Sequence, residues 1–365
     1  MLIGIIAASN LRKSPYVRFY TSILEEASIP YEIILPNRLA IEESYSGCVH
    51  VLPWNKQLPA ALNYFLYTKK AKRIISQRRY DALIIMTSMN SVCLHRFLKK
   101  QYAKRYILDI RDYAHENIPL YFRLEEMAVK NALMNVVSSR QFIPLLPKGE
   151  YAVCHNYYPP ENEMPKPESS LSDVIRIGYL GSLSHVEQCI KLMQLVSRDK
   201  RFSLDFYGHS DAEDILKQEA KKLTCENIRF HGAYTPKEKD GILQNVDILF
   251  NLYGNDTKNA VHSLSNKLYD ALTLVKPLLS SPDTYTARMA GSLAYTLDLE
   301  TAASLDGLCD WYNSRDKAAQ KAYAAQMIAQ IARENRETQT AILHALLPLH
   351  ENSAEIFTKE GNANV

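Results

Sequence analysis

The feature that most constrains this chain is a break near its middle. Residues 156–173 carry Pro159, Pro160, Pro165, Pro167, Ser169, Ser170 and Ser172 with no apolar periodicity, which is linker composition. On either side, short apolar runs alternate with helical patterns. Ahead of the break, strands are expected at 2–7, Tyr31–Leu35, Cys48–Leu52, Asp81–Met86, Tyr106–Leu108, Leu133–Val137 and Tyr151–Cys154. Ser14-Pro15 is expected to open a helix running to about Ser28. Beyond the break, a strand from Ile175 turns at Gly181-Ser182, and further strands are expected at Phe202–Tyr207, Asn227–His231 and Val246–Leu252. Such alternation specifies parallel, doubly wound α/β sheets, whose ligands sit beyond the carboxyl ends of the strands.

With 365 residues there is enough chain for two such domains, each with its own core. The expected division is 1–156, a linker at 157–173, and 174–314. A long helical pattern at 315–350, apolar at Ala324, Met327, Ile328, Ile331 and Ile342, is expected to pack across both domains, before a frayed tail at 351–365. The six cysteines are scattered with no C-x-x-C pair, which argues against a zinc or disulfide framework and for a reducing compartment. Strand-like residues begin directly after Met1, so no signal peptide is expected, and no apolar run reaches the roughly 18–20 residues of a membrane span. The expected location is the cytoplasm or the inner face of the membrane.

The net charge of +3 conceals an asymmetry. Residues 56–105 hold twelve Lys/Arg against Asp81 alone, a local +11 that leaves −8 elsewhere. Within this region Leu58, Leu62, Phe65 and Leu66 form an apolar face, with Trp54, Tyr64 and Tyr67 as amphipathic aromatics. Lys69, Lys70, Lys72, Arg73, Arg78 and Arg79 follow. Three readings fit: a helix lying in an anionic lipid interface, a core-facing helix with a solvated basic end, and a strand-tracking nucleic-acid groove. No recognisable nucleic-acid module accompanies the pattern, so a lipid surface is expected and nucleic acid is not.

Two stretches carry candidate chemistry. Asp109-Ile110-Arg111-Asp112-Tyr113-Ala114-His115-Glu116 follows a strand's carboxyl end, where acid–base groups sit, and Asp112 or His115 could act as a base. The structural alternative has Asp109 capping a loop and Arg111 pairing with Asp112 or Glu116. The second stretch is Leu264–Ser281. Ser265 is a plausible N-cap, Leu268, Ala271, Leu272 and Val275 share a face, and Lys276-Pro277 ends the helix. Lys267 in the first turn opposes the helix dipole by roughly 0.3–1 kcal/mol unless an anion sits between it and the free N–H groups. Asp270 lies on the same side, where it could bond a ribose diol or simply pair with Lys267.

Asn266-Lys267-Leu268-Tyr269-Asp270-Ala271-Leu272 with Lys276-Pro277 resembles the p-K-l-y-E-a-l-a-x-G-k-P segment of GT-B glycosyltransferases near the family-4 group. Three further pieces stand in the family's order: the Gly181-Ser182 turn, the Gly208-His209 turn, and Gly232-Ala233-Tyr234 with the capping box Thr235-Pro236-Lys237-Glu238. The resemblance implies two Rossmann-like doubly wound domains facing across a cleft. It implies a donor site of Gly181, Ser182, Gly208, His209, Tyr234, Ser265, Lys267 and Asp270, with no metal or other cofactor. There are departures. His262 replaces the first acid of the family's E-x7-E pair, Val275 a glycine, Ser182 an arginine, and Glu187 falls near a lysine.

The implied activity is transfer of a hexosyl or N-acetylhexosaminyl group from a nucleotide sugar, UDP-linked by expectation. The expected acceptor is a lipid-linked oligosaccharide of capsule or lipopolysaccharide synthesis. A non-catalytic subunit of the same fold and a nucleotide-sugar epimerase are the alternatives.

Overall fold

In the computed structural model, the described residues are 1–42, 45, 47–159 and 174–361, with side chains described to residue 349. The expected linker falls largely on 160–173, outside the described residues. Two compact units divide the chain: Met1–Asn156 with Arg333–Val365, and Tyr157–Ala332.

The first unit contains β1 (Ile3–Ile6), α1 (Val17–Glu26), β2 (Tyr31–Asn37), β3 (Cys48–Pro53), α2 (Ala60–Arg78), β4 (Ala82–Met86), α3 (Ser88–Gln101), β5 (Tyr106–Ile110), α4 (Pro119–Asn131), β6 (Met134–Val137) and β7 (Tyr151–Val153). Every strand pairing is parallel, in the order β3-β2-β1-β4-β5-β6-β7. The central strands are apolar on both faces, as a sheet covered on both sides requires: Ala82 to Met86 are all fully buried. Ser14-Pro15 does not start a helix. The chain makes a short turn there, and α1 begins at Val17 without a side-chain cap.

The second unit contains β8 (Ile175–Leu180), α5 (Val186–Val196), β9 (Phe202–Tyr207), α6 (Glu213–Lys222), β10 (Ile228–Gly232), α7 (Pro236–Gln244), β11 (Ile248–Asn251), α8 (Lys258–His262), α9 (Asn266–Leu274), β12 (Leu278–Ser280), α10 (Tyr285–Ala290), β13 (Ala294–Thr296) and α11 (Asp306–Ser314). Its sheet is also parallel, in the order β10-β9-β8-β11-β12-β13. Both sheets thus share one winding, with strand order reversing between the first and fourth strands. That reversal opens a crevice at the carboxyl ends of β1 and β4 in one unit and of β8 and β11 in the other.

The last helix, α12 (Lys317–Gly361), belongs to both units. Its residues to 332 pack with the second, where Ala324, Met327 and Ile331 are buried beside Leu268 and Leu272. From residue 333 it belongs to the first unit, where Glu334 meets His155 Nε2 at 2.9 Å and Thr338 donates to the Val153 carbonyl at 2.6 Å. The helical backbone continues through Gly361, past the point where fraying was expected.

Candidate functional site

Each strand leading to the crevice of the second unit ends in a glycine with positive φ or runs into one. These are Gly181 (122°), Gly208 (144°), Gly232 (77°) and Gly254 (77°), after β8, β9, at the end of β10 and after β11. Gly208 is forced to be glycine, because an added Cβ would lie 1.7 Å from the Gly181 carbonyl oxygen. Two turns are therefore packed backbone to backbone, and four glycines mark the carboxyl edge of the sheet.

Lys267 lies beside Tyr179 and Tyr253, which lead into two of these turns. Ser265 caps α9, its hydroxyl accepting from the Lys267 N–H at 3.3 Å. The Lys267 side chain is only 8% exposed. Its Nζ donates to the Tyr253 hydroxyl and lies 4.8 Å from the Tyr179 ring centroid and 5.0 Å from that of Tyr253. Burial works against the ammonium, but the Tyr253 and Tyr179 oxygens outweigh it and hold its pKa above the ordinary value. Two aromatic faces and one phenol thus hold the buried cation. Asp270 does not pair with Lys267 as the simpler expectation had it; its carboxylate accepts from Lys239 Nζ of α7 at 2.6 Å. Tyr234 is half-buried nearby, its hydroxyl kept protonated mainly by burial. Ser182 is exposed at the turn. His209, in the loop before α6, reaches Glu213 in the first turn of that helix, 2.5 Å away, and Lys217 followed by His209 holds that carboxylate below its ordinary range.

One residue was missed. His185 lies flat on Tyr253, with centroids 4.2 Å apart and planes 12° from parallel. It was legible only as the remaining cation-capable side chain of the turn. Val275, where glycine was expected, adopts φ 50° at the end of α9, so the backbone there keeps the left-handed shape that glycine prefers.

In the first unit the acidic and basic run after β5 divides in two. Arg111 pairs with Asp109, not with Asp112 or Glu116: Nη2 lies 2.7 Å from Oδ2, both side chains are buried, and Arg111 also donates to the Cys154 carbonyl at 3.0 Å. That pair is structural. Asp112 and His115 are exposed, and the His115 ring meets Tyr121 edge-on at 5.5 Å. Beneath them Glu116 joins a polar cluster whose other members, Ser88, Tyr121 and Glu125, sequence reading did not single out. Tyr121 donates to Ser88 Oγ at 2.8 Å, and Ser88 to Glu116 Oε1 at 3.2 Å. Glu125 is fully buried without a hydrogen-bond partner for either oxygen. Burial first, and Glu116 second, push the Glu125 pKa up to about 8.

The α2 helix buries Asn63, Tyr67, Ala71 and Ile75, and leaves Leu62, Phe65 and Leu66 exposed at 42%, 62% and 38%. Lys69, Lys70 and Arg73 are exposed, Lys72 half-buried, and Trp54 is half-buried against Tyr64 with Arg38 over its ring. Arg78 is drawn into an ion pair with Glu32, and Arg79 forms the left-handed end of α2. Glu32, Cys48 and His50 form one group with metal-ligating atoms close together, but Glu32 already accepts from Arg78 and Tyr80.

No protein-family model matches the sequence, and no curated protein matches it. Solved structures do. Sucrose-phosphate synthase from Thermosynechococcus elongatus superposes with a TM-score of 0.67 at 12% identity, covering 100% of both chains. WaaG, a glycosyltransferase involved in lipopolysaccharide biosynthesis, gives 0.67 at 10% identity over 93% of this chain and 99% of its own. Anabaena HepE, solved with UDP and glucose, gives 0.62 at 13% identity over 98% and 100%. The fold is GT-B. Shared GT-B architecture accounts for the seven- and six-stranded parallel sheets, their common winding and their crevices. At 10–13% identity the side chains in those crevices are this chain's own.

Proposed function

We propose that the chain is a glycosyltransferase that moves a sugar from a UDP-linked donor to a lipid-linked oligosaccharide in surface polysaccharide synthesis. The observation that carries the reading is Lys267, buried beside the residues that lead into the glycine turns at the switch point of the second sheet. In this reading a donor diphosphate sits on the Gly181 and Gly208 turns, before the N–H groups of α9 that Ser265 caps. Tyr234 lies towards the base. Asp270 accepts from the ribose and exchanges some of its bond with Lys239. Ser182 and His209 border the site. As the acceptor hydroxyl attacks the anomeric carbon, its bond to the phosphate oxygen breaks and negative charge grows on the departing diphosphate. Lys267 and the backbone dipoles stabilise that charge. His115 or Asp112, exposed at the carboxyl edge of the first sheet, takes the hydroxyl proton.

Titration with UDP, GDP and their sugar conjugates tests the donor site. The informative variant is Lys267→Met, which keeps the buried volume and removes the charge. We expect it to weaken binding by at least about tenfold, the effect of losing one charge-assisted contact. A folded protein that binds no nucleotide sugar would overturn the reading. It would favour a non-catalytic subunit instead, for which Ser182, Glu187 and His262 in place of charged residues speak.

The lipid-linked acceptor and the inner membrane face rest on α2. Exposed Leu62, Phe65 and Leu66 share a helical face with Lys69 and Arg73, which suits insertion into an anionic bilayer surface. Phe65→Ser combined with Leu66→Ser is expected to lower sedimentation with phosphatidylglycerol vesicles by about tenfold. Unchanged sedimentation would remove α2 from the membrane reading.

A further inference from the structure

The turn after β8 lacks the arginine and lysine expected there, with Ser182 and Glu187 in their places. Between Gly181 and Val186, His185 alone has a side chain that can become a cation. It holds φ 56° and ψ 47° directly before α5. That left-handed shape costs a non-glycine residue roughly 1–2 kcal/mol, so its surroundings must hold it in place. The stack on Tyr253 is the visible restraint, and Tyr253 in turn accepts the hydrogen bond from Lys267. Three segments therefore converge at the switch point: the turn after β8, the loop after β11, and the first turn of α9. The imidazole is their exposed member.

The groups around the ring decide its charge. Contact burial first, and the Lys267 ammonium second, lower its pKa, while Asp256 and the Tyr253 backbone partly oppose them. Tyr253 covers one face. On its own helix, Glu187 is engaged with Lys191 at 2.7 Å.

Building on the donor-site reading, we propose that His185 grips the donor diphosphate by taking up a proton: it is neutral in the empty site and a cation in the filled one. An anion placed between His185 and Lys267 cancels the repulsion that adds to burial in disfavouring the charged ring, and its oxygens accept from the imidazolium. The missing arginine is thus replaced by a cation that forms only on binding. Affinity falls as pH rises through neutrality, because the free ring must then recruit a scarcer proton.

UDP-glucose is a suitable probe, since both of its phosphates are esterified and neither titrates near neutral pH; GDP-mannose is the second. Calorimetry on the full chain at pH 7, in PIPES and in Tris, reads proton uptake from the difference in apparent enthalpy. Wild type is expected to take up a fraction of a proton per site. His185→Phe keeps a flat ring on Tyr253 and is expected to lose the uptake and about tenfold in affinity. His185→Lys is expected to recover affinity without uptake. Thermal melts establish that both variants fold. The proposal is overturned if wild-type binding is independent of buffer, or if His185→Phe binds as wild type does. A wild-type chain that binds neither probe nor any other nucleotide sugar overturns the donor-site reading, and this inference with it.

Discussion

Gly208→Ala is expected to be among the most damaging single-methyl additions in this protein. The new Cβ would lie 1.7 Å from the Gly181 carbonyl oxygen, and the opposing atom is backbone that cannot swing aside. The φ of 144° adds strain for any L side chain. Overpacking and backbone strain each cost about 1–3 kcal/mol, so a loss of about 3–5 kcal/mol is expected. For a unit of this size each kcal/mol moves the melting temperature by about 2–4 °C, which places the shift near 10 °C or beyond. Gly241→Ala supplies the control. It lies within α7 with nothing near its Cβ position, and should gain up to about 1 kcal/mol from helix propensity. Calorimetric melts of the two variants decide the matter, and equal melting temperatures would show that the two turns are not locked together.

The second large effect concerns Glu125. Its pKa rises to about 8 in the folded protein, against about 4.3 for a free glutamate. A raised carboxyl pKa means that the fold favours the protonated form. Stability is therefore full below about pH 4.3, declines as pH rises through the interval, and reaches its lower plateau above about pH 8. At about 1.4 kcal/mol per unit, the loss is on the order of 4–5 kcal/mol as an upper bound. Glu125→Gln removes the titration while keeping the shape. Its melting temperature is expected to match wild type at pH 5 and exceed it by about 10 °C at pH 8.5. A wild-type melting temperature that is flat between pH 5 and 8.5 would show that the carboxyl is solvated.

These two residues also mark where sequence reading succeeds and fails. The strands were legible because parallel sheets covered on both faces need runs such as Leu83 to Met86, and few other structures tolerate them. The α9 cap was legible because Ser265 and Lys276-Pro277 act locally. Glu125 was not, since Leu124-Glu125-Glu126 reads as the solvated edge of an amphipathic helix and only packing reveals which acid turns inward. On α2 the apolar spacing fits two faces, and the core took Tyr67, Ala71 and Ile75, leaving Phe65 outside. Asn63 is buried on that face because it bonds the Asn55 N–H at 3.0 Å and the Leu58 carbonyl at 3.1 Å, a loop contact no periodicity encodes. His185 could be read only as a residue type, since its pose depends on Tyr253, nearly seventy positions away. Lys267 was readable as an anomaly, but its aromatic enclosure needs Tyr179 and Tyr253, which no local pattern links.

The passage of α12 from one unit to the other bears on how the protein is made. Asn335 accepts from the His155 N–H at 2.7 Å and donates to the His155 carbonyl at 3.2 Å, finishing the strand that β7 begins. Those groups emerge from the ribosome only after residues 157–332, so the second unit, contiguous in sequence, can close while the first still waits. The unit begun first is therefore the one completed last. The nascent first unit must hold its β7 end open, with the Val153 and His155 carbonyls still bonded to water, through the whole translation of its neighbour.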